Sequence, residues 1–126
     1  MKDNRFVKGR LKSVTYSVIG AYKLITSEHS IIVQFFLGVA VTAAGFYFNI
    51  SATEWMLQTM AIGMVMAIEG ANTAVEKICD FIHPEFHQRI GFIKDIASGA
   101  VFFAAMAAIV VGAIIYYPKV ALLFIN

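Results

Sequence analysis

Two uncharged apolar runs constrain this chain most: "IIVQFFLGVAVTAAGFYFNI", Ile31 to Ile50, and "IASGAVFFAAMAAIVVGAIIYY", Ile96 to Tyr117. Each reaches the roughly 20 residues that a helix needs to cross about 30 Å of hydrocarbon. Nothing in lipid satisfies stray backbone N–H and C=O groups, so helix is the workable backbone. The composition agrees: 60% of the 126 residues are hydrophobic and 14% charged, against averages of about 45–50% and 25% for soluble chains. These numbers predict a single all-α integral membrane domain.

A third run, "WMLQTMAIGMVMAI" from Trp55 to Ile68, is too short alone and spans only if its helix continues into "EGANTAVEKICD", Glu69 to Asp80. Before the first run, Val7, Leu11, Val14, Val18, Tyr22 and Ile25 recur at spacings of three and four, with lysines and arginines off that stripe. Such a segment reads as an amphipathic helix lying in the membrane interface. The expected organisation is therefore a surface helix over 1–28, spans over 30–50, 54–82 and 95–117, and a loop over 83–94. Lys2, Arg5, Lys8, Arg10, Lys12 and Lys23 precede the first span, whereas "SATE" before Trp55 holds no Lys or Arg. The positive-inside tendency then puts the N-terminus and the 83–94 loop in the cytoplasm and the C-terminus outside. Lys119 is the one basic residue on the wrong side.

No removable signal peptide is expected, because the basic N-terminal stretch lacks a short apolar core with a small-residue cleavage site. The single cysteine, Cys79, cannot form an intrachain disulfide. A net charge of +2 is too small to suggest a nucleic-acid partner. Cys79, His83 and His87 imitate a zinc site in spacing, but Pro84 should break the helix between the histidines. Trp55, Tyr116 and Tyr117 read as interfacial aromatics, and Met56, Met60, Met64 and Met66 as packing.

The carboxylates carry the chemistry. Counting from Trp55 puts Glu69 roughly 21 Å along its helix, past the midplane, with Glu76 and Asp80 emerging at the cytoplasmic headgroups. Glu28, Lys94 and Asp95 lie at that same level. With Glu69 at zero, Asn72, Glu76 and Asp80 fall at roughly 300°, 340° and 20° around the helix, so one narrow stripe holds three carboxylates and an amide. Solvated interface residues would look like Asp80 and Glu76, but not like Glu69, because intramembrane charge is expensive and usually functional. Repelling carboxylates invite a divalent cation, and Mg²⁺ takes one or two of them while keeping positions for water and phosphate oxygens. A lone deeper glutamate beside such a site suggests phosphoryl transfer to a membrane-borne alcohol, with Lys94 screening the phosphate. No Walker-type loop or protein-kinase motif is present, so a nucleotide would be held in another way. A small proton-coupled transporter is the alternative class, but its acidic site would sit at the midplane, often between paired halves, and no repeat is visible.

"EGANTAVEKICD", with "SEHS" before the first span, "PEFH" in the loop and "KDIASGAVF" opening the last span, resembles the signature of the small prokaryotic diacylglycerol kinases, a family that includes undecaprenol kinases. Ala71 stands where the family usually has a larger aliphatic residue. The resemblance covers nearly the whole chain. It implies a homotrimer in the bacterial inner membrane that transfers the ATP γ-phosphate to a lipid hydroxyl, diacylglycerol by default or undecaprenol, with Mg²⁺ as cofactor. By motif position it makes Glu69 the catalytic base and Glu28 and Glu76 the metal carboxylates. It places Tyr16, Asn72, Asp80, Glu85, His87, Lys94 and Asp95 around the nucleotide and Ser98 on the lipid side. An N-terminal basic residue of the site falls on Lys8 or Arg10. Three thin spans enclose Glu69 poorly, which favours an oligomer, and Gly38, Ala40, Ala43, Ala44, Gly45, Gly99, Ala104, Ala108 and Gly112 suit close helix packing.

Overall fold

A computed structural model describes residues 2–125, and within it the chain is four helices with no strand among the described residues: α1 (Lys2–Ser27), α2 (His29–Tyr47), α3 (Ala52–Ile82) and α4 (Gln88–Ile125). α2 and α4 are each long and apolar enough to cross a membrane. α2, at 19 residues, covers about 28 Å, close to the hydrocarbon thickness. α3 is longer, at 31 residues, but its run of carboxylates lowers its apolarity. Most large apolar side chains face outward, among them Phe36, Phe46, Phe103, Ile114 and Tyr117, as expected where lipid is the solvent.

α3 lies between its neighbours and makes its most extensive contact with α4. Its inward face is Gln58, Ala61, Val65, Glu69 and Thr73, a spacing of three and four that keeps all five on one side. α2 reaches α3 through glycines. A methyl group on Gly38 would sit 3.2 Å from Ile62 Cγ2, and one on Gly45 would sit 2.7 Å from Trp55 Cη2. Trp55 therefore packs over α2 and beside Phe46, at a ring-centroid distance of 4.8 Å. A cavity of about 350 Å³ remains where α2 and α4 diverge above α3, with Gly38, Val65, Ala108 and Gly112 in its walls.

The turn from α2 to α3 is set locally. Asn49 adopts a left-handed conformation at φ 49°, which asparagine tolerates. The Asn49 N–H then donates to the Phe46 carbonyl at 3.3 Å and the Ile50 N–H to the Gly45 carbonyl at 3.2 Å, the two bonds of a Schellman motif. Two residues on, Ser51 Oγ accepts from the Glu54 N–H at 3.2 Å while Glu54 Oε2 accepts from the Ser51 N–H at 2.9 Å. This capping box starts α3.

Two features depart from expectation. α4 begins at Gln88, inside the segment read as loop, and runs through Pro118 to Ile125. Pro118 takes from the Ile114 carbonyl the N–H it would otherwise accept, and the Lys119 ammonium bonds the neighbouring Ile115 carbonyl at 3.2 Å. The charge of Lys119 is also accounted for, because its Nζ lies 2.8 Å from Glu54 Oε1. One Glu54 oxygen thus caps α3 while the other holds α4.

Gly45→Ala should lower the thermal midpoint in mild detergent. Overpacking against the Trp55 ring costs about 1–3 kcal/mol, more than the roughly 0.5–1 kcal/mol a helix gains from losing glycine. Gly9→Ala, with nothing near its added methyl, should leave the midpoint unchanged or raised.

Candidate active site

Glu28 is the corner between α1 and α2. The two helices are separated by this residue alone, which has extended dihedrals and makes no capping bond with its side chain. Its carboxylate is free to reach α3, and Oε1 pairs with Lys77 Nζ at 3.0 Å. α1 otherwise touches the bundle only near its C-terminus. Its apolar stripe, including Leu11, Val14 and Val18, is exposed, as suits a helix resting on lipid. Leu24 reaches α3, where a methyl on Gly70 would lie 3.1 Å from Leu24 Cδ1. Glycine beside Glu69 is what lets α1 approach.

Glu69 is 9% exposed within the single chain, so the expectation that one chain encloses it poorly does not hold. The reason is its place on the inward face of α3, one turn beyond Val65, beside the approach of α1. Glu69 Oε2 has no hydrogen-bond partner, and neither does Asn72 Oδ1. The two residues are neighbours on the helix surface at three-residue spacing. Asn72 Nδ2 donates to Glu76 Oε1 at 3.3 Å, which turns its carbonyl oxygen the other way. Two buried acceptors, on residues three apart along α3, therefore lack a donor among the described residues. Leaving such groups unpaired costs about 1–3 kcal/mol each, more for a charged one.

Below them the helix emerges and the pairing changes. Glu76 and Asp80 are exposed. Lys94, from the first turns of α4, lies 2.6 Å from Asp80 Oδ1. That hydrogen bond, in the part of α4 before its apolar run, raises the Lys94 pKa and keeps the ammonium protonated. Asp95 and Ser98 follow on α4 and are exposed.

The loop residues hold each other. His83 donates from Nδ1 to the Glu85 carbonyl at 2.8 Å, and the Arg89 N–H donates to His87 Nδ1 at 3.1 Å. The second bond leaves His87 Nε2 as the ring's free hydrogen-bonding atom. The two rings stand edge to face with centroids 5.1 Å apart, while Cys79 is buried. On α1, the candidate Arg10 places its guanidinium 5.2 Å over the Phe6 ring, and Lys12 Nζ lies 5.8 Å over the ring of the candidate Tyr16. Arg10, Lys8 and Tyr16 are exposed.

The site expected from sequence thus divides in two. The chain joins Asn72 to Glu76, Asp80 to Lys94 and Glu28 to α3. It does not converge three metal-ligating side chains at one point among the described residues. The donor set still suits Mg²⁺, because carboxylate oxygens such as those of Glu28 and Glu76 need fill only one or two positions when phosphate and water fill the others. Lys77 was not singled out from sequence, since a lysine beside an exposed glutamate carries no distinguishing pattern. Gln58 was also passed over, although a lone amide within an apolar run was legible.

The geometry defines a membrane helix bundle with an orphaned buried carboxylate next to a charged surface cluster, and the comparisons identify its family. The sequence profile described as Prokaryotic diacylglycerol kinase matches residues 15–116, and the chain belongs to that family. It is similar to an undecaprenol kinase of Bacillus subtilis, 31% identical over 119 residues, covering 94% of this chain and 97% of that protein. A diacylglycerol kinase of Synechocystis is 29% identical over 116 residues, covering 91% of this chain and 66% of the relative. A diacylglycerol kinase of Haemophilus influenzae is 31% identical over 108 residues, covering 85% and 92%.

Glu69→Gln should raise the thermal midpoint, because an amide removes a buried charge and brings a donor to Asn72 Oδ1. A gain of about 1 kcal/mol is the scale of one satisfied bond. A lowered midpoint would mean that Glu69 is paired in the folded protein.

Proposed function

We propose that this lipid kinase transfers the γ-phosphate of ATP to the hydroxyl of a membrane lipid, with Glu69 as the base. The observation that carries the reading is the pair of buried acceptors, Glu69 Oε2 and Asn72 Oδ1, which lack a donor. A lipid alcohol supplies the missing O–H and reaches Glu69 from the hydrocarbon side. Its oxygen attacks the γ-phosphorus while the bond to the β-phosphate oxygen breaks, and its proton passes to the Glu69 carboxylate. The charge of the transferring group falls near Lys94, which stays cationic beside Asp80. Such stabilisation at the developing charge is the usual main contribution of a phosphotransferase.

Glu28 and Glu76 would hold Mg²⁺, which when bound neutralises charge on the β- and γ-phosphates. Lys77 then competes with the ion for Glu28. Asn72, Asp80, Glu85, His87, Asp95 and Tyr16 are assigned to the nucleotide, Ser98 to the lipid, and Lys8 or Arg10 to the basic N-terminal role. These assignments rest on motif position and, for all but the half-buried Asn72, on the exposure of the residues.

In the same reading α3 is a third span, the charged end faces the cytoplasm of a bacterial inner membrane where ATP is found, and three subunits assemble into a homotrimer. The exposed apolar faces of α2 and α4 fit lipid or another subunit. Diacylglycerol remains the default acceptor. Undecaprenol is the second reading, favoured by the near full-length match to the Bacillus subtilis undecaprenol kinase.

Purified protein in mixed micelles with Mg²⁺ and γ-labelled ATP should transfer label to diacylglycerol or to undecaprenol when each is offered separately. Label in neither overturns the reading. Glu69→Gln should lower turnover by about 10²–10⁴-fold, the usual contribution of a general base, with ATP binding retained. Lys77→Met should lower the Mg²⁺ concentration needed for half-maximal rate, and a raised requirement would show that Lys77 supports the site.

A further inference from the structure

Three polar contacts join α3 to α4. Asp80 meets Lys94 at 2.6 Å, Gln58 meets the Tyr116 hydroxyl, and Glu54 meets Lys119 at 2.8 Å. Passing from the first contact to the second advances the two antiparallel helices by the same number of residues in opposite senses, about 33 Å of rise. The third follows one turn further on. All three are rungs of a single register.

Between the end rungs a cavity interrupts the packing that would otherwise hold that register alone. In lipid no hydrophobic force drives helices together, and packing depends on shape. From α4 the interior receives Ala104 and Ile115, and the cavity wall receives Ile109 and Val111 beside Ala105, Ala108 and Gly112. The small side chains among them leave room for the cavity, which deprives the larger ones of a partner on one side. A slip of one turn, about 5.4 Å of rise, keeps much of this contact while breaking every rung.

The rungs remote from the charged end are also the better enclosed. Gln58 is 3% exposed. Its Nε2 donates to the Val41 carbonyl of α2 at 3.4 Å, and the Tyr116 hydroxyl lies 3.1 Å from that same oxygen. The single phenol proton serves Gln58 or Val41, and the Gln58 amide covers the carbonyl in either case. This cluster therefore ties α2, α3 and α4 at one level, and Glu54 and Lys119 sit a turn beyond it.

We propose that Glu54, Gln58, Tyr116 and Lys119 are positioning residues for the site at the opposite end of the bundle, about 38 Å away along the helices, because they set the register in which Lys94 meets Asp80. The activity arm of the test rests on the kinase reading above. The register arm does not.

The register is read from the acylation rate of Lys94 in the folded, detergent-solubilised protein, followed by mass spectrometry with Lys12 as internal reference. Lys119→Glu, which sets two carboxylates against each other, should raise that rate roughly two- to thirtyfold, the range that coupling between distant sites usually reaches. Tyr116→Phe, a milder change, should raise it in the same direction and serves if Lys119→Glu does not fold. Lys119→Arg should restore the wild-type rate. Trp55→Leu, which loosens the α2–α3 turn, should lower the thermal midpoint without moving Lys94. In kinase assays Lys119→Glu should raise the KM for ATP more than it lowers kcat. Unchanged Lys94 reactivity in folded Lys119→Glu and Tyr116→Phe overturns the proposal. If the reactivity rises while wild-type protein phosphorylates neither lipid, the register stands and the kinase reading falls.

Discussion

Lipid offers no hydrogen bonds, and that constraint orders the whole molecule. Every polar group carried into the hydrocarbon must find its partner within the protein or remain in need of one. Gln58, Tyr116 and the Val41 carbonyl satisfy one another. Glu54 and Lys119 do the same near one end, and Asp80 and Lys94 near the other. Against this pattern of closed pairs, the open acceptors at Glu69 and Asn72 stand out.

Much of the architecture was legible because membrane helices announce themselves by length and apolarity. The two uncharged runs became α2 and the central part of α4, and the basic amphipathic stretch became α1. The boundaries were harder to read. α4 continues through Pro118 to Ile125, and composition could not show that Lys119 would turn back to Glu54. "SATE" carried a readable signal of its own, the Ser-x-x-Glu spacing of a capping box. Its importance lay in a second contact from a residue 65 positions away, which no local pattern contains.

The site was legible in its residue types and in part of its geometry. Helical periodicity put Asn72 beside Glu76, and they bond. Depth counting put Glu28, Asp80 and Lys94 at one level, and two of the three pair. Periodicity could not say which face of α3 turns inward. It grouped Glu69 with the exposed Glu76 and Asp80, whereas the chain buries Glu69 beside Val65 and leaves the other two in the open. Nor could it give the partner of Glu28, since the contact with Lys77 depends on how two helices meet.

The joint at Glu28 has a mechanical consequence. A longer linker would let α1 roll or tilt without disturbing α2, but a corner of one residue has no slack. Rotation of α1 about its own axis must be taken up by the two backbone torsions of Glu28, and those torsions also aim its carboxylate. α1 is thus geared to a single side chain at the charged end of the bundle, and whatever turns α1 turns that carboxylate with it.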